Sequence, residues 1–179
     1  MMMDKALAKL IAKDEIADLI YRYPRGLDRL DQSILLSIGH ADATVEFSTL
    51  FKGTWVGYVE WLMHAHETML FNNHRITNML IEVEAEQAVS ESSSTATLIV
   101  ARSDGDIESR LVHSRYLDQW RHESGRWWLM RRVTVRDYRS VTVITAKELE
   151  QRVQYTNAGV LKDQDPSYEL FAQLKKSVE

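Results

Sequence analysis

The sequence contains no cysteine and has only two prolines and seven glycines in 179 residues. The lack of thiols excludes disulfide bonds, thiolate nucleophiles and cysteine-ligated metals. The scarcity of proline and glycine argues against long disordered linkers. No stretch approaches the roughly 20 apolar residues of a transmembrane helix, and the first residues lack the apolar run of a secretory signal. We therefore expect no membrane partner and a cytoplasmic location.

An excess of basic charge is also missing. The formal net charge is −4, and the Lys and Arg residues are scattered rather than arranged in a stripe. This pattern argues against a nucleic-acid partner. The hydrophobic fraction of 45% and the charged fraction of 27% suit a protein with an ordinary buried core, and the length fits one domain.

The spacing of apolar residues indicates helices in the first third of the chain and strands after it. A first helix is capped by Asp4, a second begins at Pro24 and a third covers 55–71. One short strand is predicted at 43–48. From His74 onward the pattern alternates, which is typical of strands.

The later strands are predicted at 74–84, 88–102, 107–121 and 127–139. A short helix from Ala146 and a loosely attached tail from Asp163 follow them. Helices followed by consecutive strands predict an α+β fold, with helices packed on one face of an antiparallel sheet. If the sheet is strongly curved, the helices close it around a pocket, the kind of concave place that ligands favour.

Asp28 and His74 are the strongest candidates for chemistry. A carboxylate that holds an imidazole fixes its tautomer and stabilises the imidazolium that forms when the ring takes a proton. Tyr23 could donate a hydrogen bond to a substrate oxygen as negative charge develops. Composition alone also allows plainer roles: a solvated helix carboxylate, a core histidine bonded to a backbone carbonyl and a packed aromatic ring.

Strand alternation adds one further candidate for a pocket wall. It places His74, Ile76, Asn78 and Leu80 on one face of their strand. That face is mostly apolar with two polar groups, so Asn78 is a candidate for contact with a substrate.

Other candidates come from the last strand and from isolated side chains. Alternation places Arg132 and Arg136 on one face, where one arginine could hold a carboxylate or an oxyanion. Trp55 is a candidate for an apolar pocket wall. His64 and His66 have an i,i+2 spacing that does not bring helical side chains together. We find no convincing set of metal ligands, no glycine-rich phosphate loop and no nucleophile elbow, and expect neither metal nor cofactor.

Taken in order, several segments resemble the SnoaL-like branch of the nuclear-transport-factor-2-like superfamily, which includes scytalone dehydratase, ketosteroid isomerase and bile-acid 7α-dehydratase. The matching segments are 23–31, 42–43, 74–78, 115–118, 125–127, 131–132, 137–138 and 165–168. The resemblance implies a cone-shaped α+β barrel, like that of cystatin, over residues 1–145. Residues 146–179 would form a C-terminal extension packed on this domain or against a neighbouring subunit.

The resemblance also implies site residues. The Asp–His pair of the dehydratase-like members maps onto Asp28 and His74, and a tyrosine maps onto Tyr23. A pocket arginine falls at Arg132 or Arg136. His113 is a candidate for a further polar pocket residue.

The implied function is that of a cofactor-independent lyase or isomerase acting on a small apolar cyclic substrate, such as a steroid, polyketide or aromatic metabolite. The superfamily also implies a homodimer or homotrimer. Because the fold hosts many functions, two alternatives stay open. One is a non-catalytic small subunit of a ring-hydroxylating dioxygenase, and the other is a small-molecule binding protein.

Overall fold

A computed structural model describes residues 2–152 and 160–176, and these residues form an α+β fold, as predicted. The helices are α1 (Met2–Asp28), α2 (Gln32–Leu36), α3 (Trp55–Glu67), α4 (Ala146–Arg152) and α5 (Pro166–Lys176), with a short 3₁₀ turn at Lys162–Gln164. The strands are β1 (Gly39–Phe47), β2 (Phe51–Thr54), β3 (Phe71–Glu84), β4 (Gln87–Ala101), β5 (Ile107–Glu123) and β6 (Arg126–Ile144). None of the helices in the described ranges is long and apolar enough to cross a membrane.

The six strands form one open sheet in the order β2-β1-β6-β5-β4-β3. Strands β3 to β6 make an antiparallel meander, whereas β1 pairs in parallel with β6. The sheet is therefore mixed and not closed, in contrast to the antiparallel barrel that was expected. The parallel pair is possible because α3 and four strands separate β1 from β6 in the chain, which gives the chain room to return in the same direction.

Helix α1 runs unbroken through Pro24, although the sequence predicted a second helix beginning there. Pro24 removes one backbone hydrogen bond near the end of the helix. Burial of the neighbouring Tyr23 and Leu27, which are 2% and 1% exposed, offsets this loss. As a result, Asp28 is the last residue of α1 rather than part of a second helix.

A β-bulge at Asn78 changes which residues of β3 face the interior. Asn78 has a φ of 47°, and the pairing register shifts between Thr77 and Leu80. The extra residue reverses the alternation. His74 therefore faces inward before the bulge, and Ile81 faces inward after it. Asn78 and Leu80 are exposed, so the prediction that they share the face of His74 is wrong.

The C-terminal segment contacts the end of α1. The Tyr168 hydroxyl donates to an Asp31 carboxylate oxygen at 2.6 Å, and the backbone N–H of Lys162 donates to the Arg29 carbonyl at 2.7 Å. The guanidinium of Arg25 lies 4.9 Å from the Tyr168 ring centre. The tail was expected to be loosely attached, but its residues 160–168 are bound to the corner that follows Asp28. Residues 153–159 and 177–179 of the predicted extension lie outside the described residues.

Candidate active site

A cavity of about 270 Å³ lies between the inner face of the sheet and helices α1 and α3. Much of its wall is apolar and includes Leu27, Phe47, Trp61, Leu62, Met69 and Val112. Its polar groups include Tyr23, Tyr58, His66, His74, Tyr116 and Arg136. An apolar space with a few converging polar groups is the usual form of a small-molecule site.

A larger depression of about 650 Å³ lies elsewhere, at the end of the sheet around Lys9, Glu84 and Arg121. Its charged side chains are well exposed, and Lys9 is already paired with Glu84 at 2.8 Å. Exposed, paired charges are screened by water and are poorly suited to catalysis. The smaller cavity is therefore the better candidate.

The structure brings Asp28 and His74 together at one side of this cavity. Oδ1 of Asp28 lies 2.7 Å from Nδ1 of His74, and each side chain is only 8% exposed. The backbone N–H of His74 also donates to both carboxylate oxygens, at 3.1 and 3.0 Å, and the Asn73 amide donates at 3.3 Å. The carboxylate is thus held from several directions.

The location of the pair follows from the fold. Strand β3 lies at an edge of the sheet. Some backbone N–H groups of an edge strand have no partner strand. The end of α1 covers this edge and places the Asp28 carboxylate on the N–H of His74. A carboxylate only accepts hydrogen bonds, so Nδ1 of His74 carries the proton and Nε2 keeps a free lone pair.

Two tyrosine hydroxyls lie together in the cavity wall. The hydroxyl oxygens of Tyr23 and Tyr58 are 3.0 Å apart. Burial, with a smaller contribution from Tyr58, raises the pKa of Tyr23 well above its usual value, and burial likewise raises the pKa of Tyr58. Both phenols therefore remain protonated at neutral pH and cannot act as bases. One hydroxyl donates to the other, so the accepting hydroxyl of the pair keeps its hydrogen for a ligand.

Arg132 lies behind these tyrosines and does not line the cavity. Its Nε and Nη2 donate to the two carboxylate oxygens of Asp118, each at 2.8 Å, and neither side chain is exposed. Its guanidinium carbon lies 4.1 Å from the centre of the Tyr23 ring and 4.4 Å from that of Tyr116. Burial opposes the charge, but the Asp118 carboxylate outweighs this effect, and the pKa of Arg132 is raised.

The two arginines that the sequence could not distinguish thus occupy different places. Arg136 lines the cavity, and its guanidinium carbon lies 5.4 Å from the centre of the Phe47 ring. Its side chain extends from an exposed position of β6, so it reaches the cavity from the solvent side. Of these two, Arg136 and not Arg132 is available to a ligand.

Three other predicted substrate contacts lie away from the cavity. Trp55 is buried in the core, where its indole N–H donates to the Leu35 carbonyl at 2.9 Å. His113 lies on the outer face of β5, where its Nδ1 is 3.3 Å from the Thr95 hydroxyl. Asn78 is exposed at the bulge. These placements follow from the packing of α3, from the alternation of β5 and from the bulge in β3.

His66, Tyr58 and Tyr116 line the cavity, although none of them was predicted to contact a substrate. Helical spacing from Tyr58 to Leu62 and His66 indicates a common inward face, but it does not say that a cavity lies in front of that face. Tyr116 belongs to a matching segment, 115–118, and precedes an inward-facing Asp118 by two residues. Alternation from Asp118 would have identified Tyr116.

Among residues 2–152 and 160–176, no three His, Asp or Glu side chains converge as metal ligands would. The polar groups that line the cavity are imidazole, phenol, hydroxyl and guanidinium groups.

The fold and the sequence can be compared with known proteins. A search of curated protein sequences gave no match. Among solved structures, a scytalone dehydratase candidate from Novosphingobium aromaticivorans is 19% identical, with a TM-score of 0.65 over 73% of this chain and 87% of that chain. A hexachlorocyclohexane dehydrochlorinase from Novosphingobium barchaimii is also 19% identical, with a TM-score of 0.65 over 76% of this chain and 92% of that chain.

A third structure, a cystatin-like protein of unknown function from Nostoc punctiforme, is 23% identical, with a TM-score of 0.56 over 70% of this chain and 90% of that chain. At these identities the structures establish a shared fold only. The sequence itself matches the model of the SnoaL-like domain over residues 8–133, which is most of the chain. The protein therefore belongs to the SnoaL-like domain family.

Proposed function

We propose that the protein is a cofactor-independent lyase or isomerase of the dehydratase type. The observation that carries this proposal is the 2.7 Å contact between Asp28 and His74, made by two nearly buried side chains at the wall of an apolar cavity. A histidine oriented in this way is suited to general-base catalysis. The dehydratase and dehydrochlorinase named among the structural neighbours support the same class of reaction.

The reaction begins with transfer of a proton from carbon to Nε2 of His74. The carbon lies next to a carbonyl group, and the electrons of the broken C–H bond move onto the carbonyl oxygen to form an enolate. The Asp28 carboxylate stabilises the imidazolium that results. A hydroxyl of the Tyr23–Tyr58 pair donates to the enolate oxygen.

The enolate then re-forms the carbonyl group, a double bond forms between the α and β carbons, and the β substituent leaves with the electrons of its broken bond. When this substituent is hydroxide, it takes the proton from the His74 imidazolium and leaves as water, which returns the base to its starting state. If the substrate has a β,γ carbon–carbon double bond in place of the β substituent, the same proton returns to the γ carbon, the double bond shifts into conjugation with the carbonyl group, and the reaction is an isomerisation.

The cavity limits the size and polarity of the substrate. Its volume of about 270 Å³ lies just below the ~300–1,000 Å³ of typical ligand pockets. One or two rings fit this volume better than the four rings of a steroid. Arg136 at the solvent side suits a substrate that carries an anionic group at its outer end.

The test is a screen of one- and two-ring β-hydroxy and β-chloro ketones in heavy water. Elimination and deuterium incorporation at carbon are followed by proton NMR. His74→Ala should lower the rate by about 10²- to 10⁴-fold, the usual contribution of a general base. His64→Ala is the matched control because His64 is exposed on α3 and does not line the cavity. Equal rates for His74→Ala and the wild type would refute the mechanism.

The same screen distinguishes the alternatives. A ligand-binding protein would take up these compounds without converting them, and Asp28→Asn would leave its affinity unchanged. A dioxygenase small subunit would co-purify with a larger iron–sulfur protein. The homodimer or homotrimer and the cytoplasmic location stay predictions, and sedimentation of the purified protein measures the first of them.

A further inference from the structure

We propose that His66 accepts a hydrogen bond from the substrate, so that the natural substrate carries a hydroxyl or N–H group close to the carbon that His74 deprotonates. This inference rests on the proposed function. It names a feature of the substrate that the Asp28–His74 pair does not reveal.

The tautomer of His66 is set by its own helix. Its Nδ1 lies 2.9 Å from the Leu62 carbonyl, one turn earlier in α3. A carbonyl only accepts, so Nδ1 carries the hydrogen and Nε2 carries the lone pair. Burial, and then the nearby His74, lower the pKa of His66 to about 4. The ring therefore remains neutral at pH 7, and Nε2 can only accept.

His66 faces the reacting region of the cavity. It lines the same cavity as His74, and the two ring centres are 5.9 Å apart. The side chain of His66 is buried, with 6% of the residue exposed. A neutral acceptor at this depth is poorly solvated, so a ligand that offers it a donor is favoured over one that does not.

The polar groups of the cavity are also arranged by type. Nε2 of His66 and Nε2 of His74 are acceptors, whereas the Tyr23–Tyr58 pair provides one hydroxyl donor. A substrate with a carbonyl oxygen for a tyrosine and a hydroxyl or N–H for His66 satisfies both kinds of group. A hydroxy ketone or a hydroxylated aromatic ring has this combination.

His66 is a specificity-determining residue in this scheme and not the acid of the reaction. Its Nε2 has no proton to give to a leaving group. We expect a ligand without a donor to bind about ten- to a hundredfold more weakly, which is the range for a buried polar group left without its partner.

The experiment uses phenol and toluene, two one-ring probes that differ only in the donor group. Long-range proton–nitrogen NMR of the wild-type protein reports the protonation of each imidazole nitrogen. Phenol should move the Nε2 resonance of His66 in the direction of an accepted hydrogen bond, and toluene should leave it in place. Saturating phenol that moves only His74, or that moves neither ring, overturns the inference and leaves the proposed function standing.

Two further results complete the test. If neither probe binds at millimolar concentration, the inference is overturned, whereas the proposed function is judged separately by the turnover of the wild type and of His74→Ala. In the variant His66→Leu, the preference for phenol over toluene should fall by about tenfold or more while toluene still binds. An unchanged preference would overturn the inference. The wild-type spectra decide the question even if this variant does not fold.

Discussion

A fully buried ion pair lies directly behind the tyrosines of the candidate site. Arg132 and Asp118 are joined by two hydrogen bonds of 2.8 Å and have no exposed side-chain surface. A buried charge without a partner is strongly unfavourable. The guanidinium also packs against the rings of Tyr23 and Tyr116. The pair therefore supports the cavity wall.

We predict that Asp118→Asn lowers the free energy of unfolding by about 3 to 5 kcal/mol, the usual result of breaking a buried ion pair. Urea denaturation measures this change. Asp137→Asn is the matched control, since Asp137 pairs with Arg115 at the surface, where the two side chains are 41% and 37% exposed, and should have little effect. Similar small losses in both variants would show that the buried charge has another partner.

The lowered pKa of His66 predicts a dependence of stability on pH. The folded ring has a pKa of about 4, against an ordinary value of 6.5, so between these values the unfolded chain binds more protons than the folded one. Stability is then lost as the pH falls from about 6.5 to about 4. In His66→Gln, the contribution of this ring to the fall in unfolding free energy, of the order of 1–3 kcal/mol, should be absent. Parallel unfolding curves at pH 7 and pH 5 for both proteins provide the measurement, and identical losses would contradict the prediction.

At the scale of single elements, the bulge in β3 decides which residues reach the cavity. It lets His74 and Ile81 both face inward although they are seven positions apart, an odd number that would place them on opposite faces of a regular strand. Asn78 makes this possible because it adopts a φ of 47°, a region that asparagine tolerates better than most residues.

We predict that Asn78→Val destabilises the protein by about 1 to 2 kcal/mol, because a β-branched side chain is strained at positive φ. Asn78→Gly should retain the stability, since glycine adopts this conformation freely. Chemical denaturation of the two variants gives the comparison. Equal stability of the two would show that β3 reaches its register without the bulge.

At the scale of the whole molecule, sequence patterns predicted the order of the helices and strands along the chain better than the way in which the strands pair. Alternation identified the strands from β3 to β6 within a few residues, because each of them has one buried face. The resemblance to a known family brought Asp28 and His74 together. The parallel pairing of β1 with β6 was missed because it depends on contacts distant in sequence.

Other errors have local physical causes. Pro24 was taken as the start of a helix because its ring is favoured in a first turn, but burial of its neighbours keeps α1 continuous. Asn78 gave no sign of a bulge, since asparagine also occurs in regular positions. His66 has the spacing of a core residue, and only the assembled structure shows that it lines a cavity.

The C-terminal segment connects the whole molecule to the candidate site. Asp165 is buried and accepts hydrogen bonds from the backbone and hydroxyl of Ser167, at 3.1 and 2.5 Å, and from the backbone N–H of Val160 at 3.3 Å. It also lies 3.4 Å from Nε of Arg29. Because Arg29 follows Asp28 directly, the tail helps to fix the corner from which the Asp28 carboxylate projects.

We predict that Asp165→Ala weakens this attachment and lowers the free energy of unfolding by about 1 to 3 kcal/mol, because buried donors lose their partner. The rate of the proposed elimination should also fall, by about tenfold, since small displacements of a catalytic group are costly. Glu169→Ala, an exposed change on α5, is the control for both measurements. A loss of stability without a loss of rate would mean that the tail supports the fold but leaves the Asp28–His74 geometry to the α1–β3 contact alone.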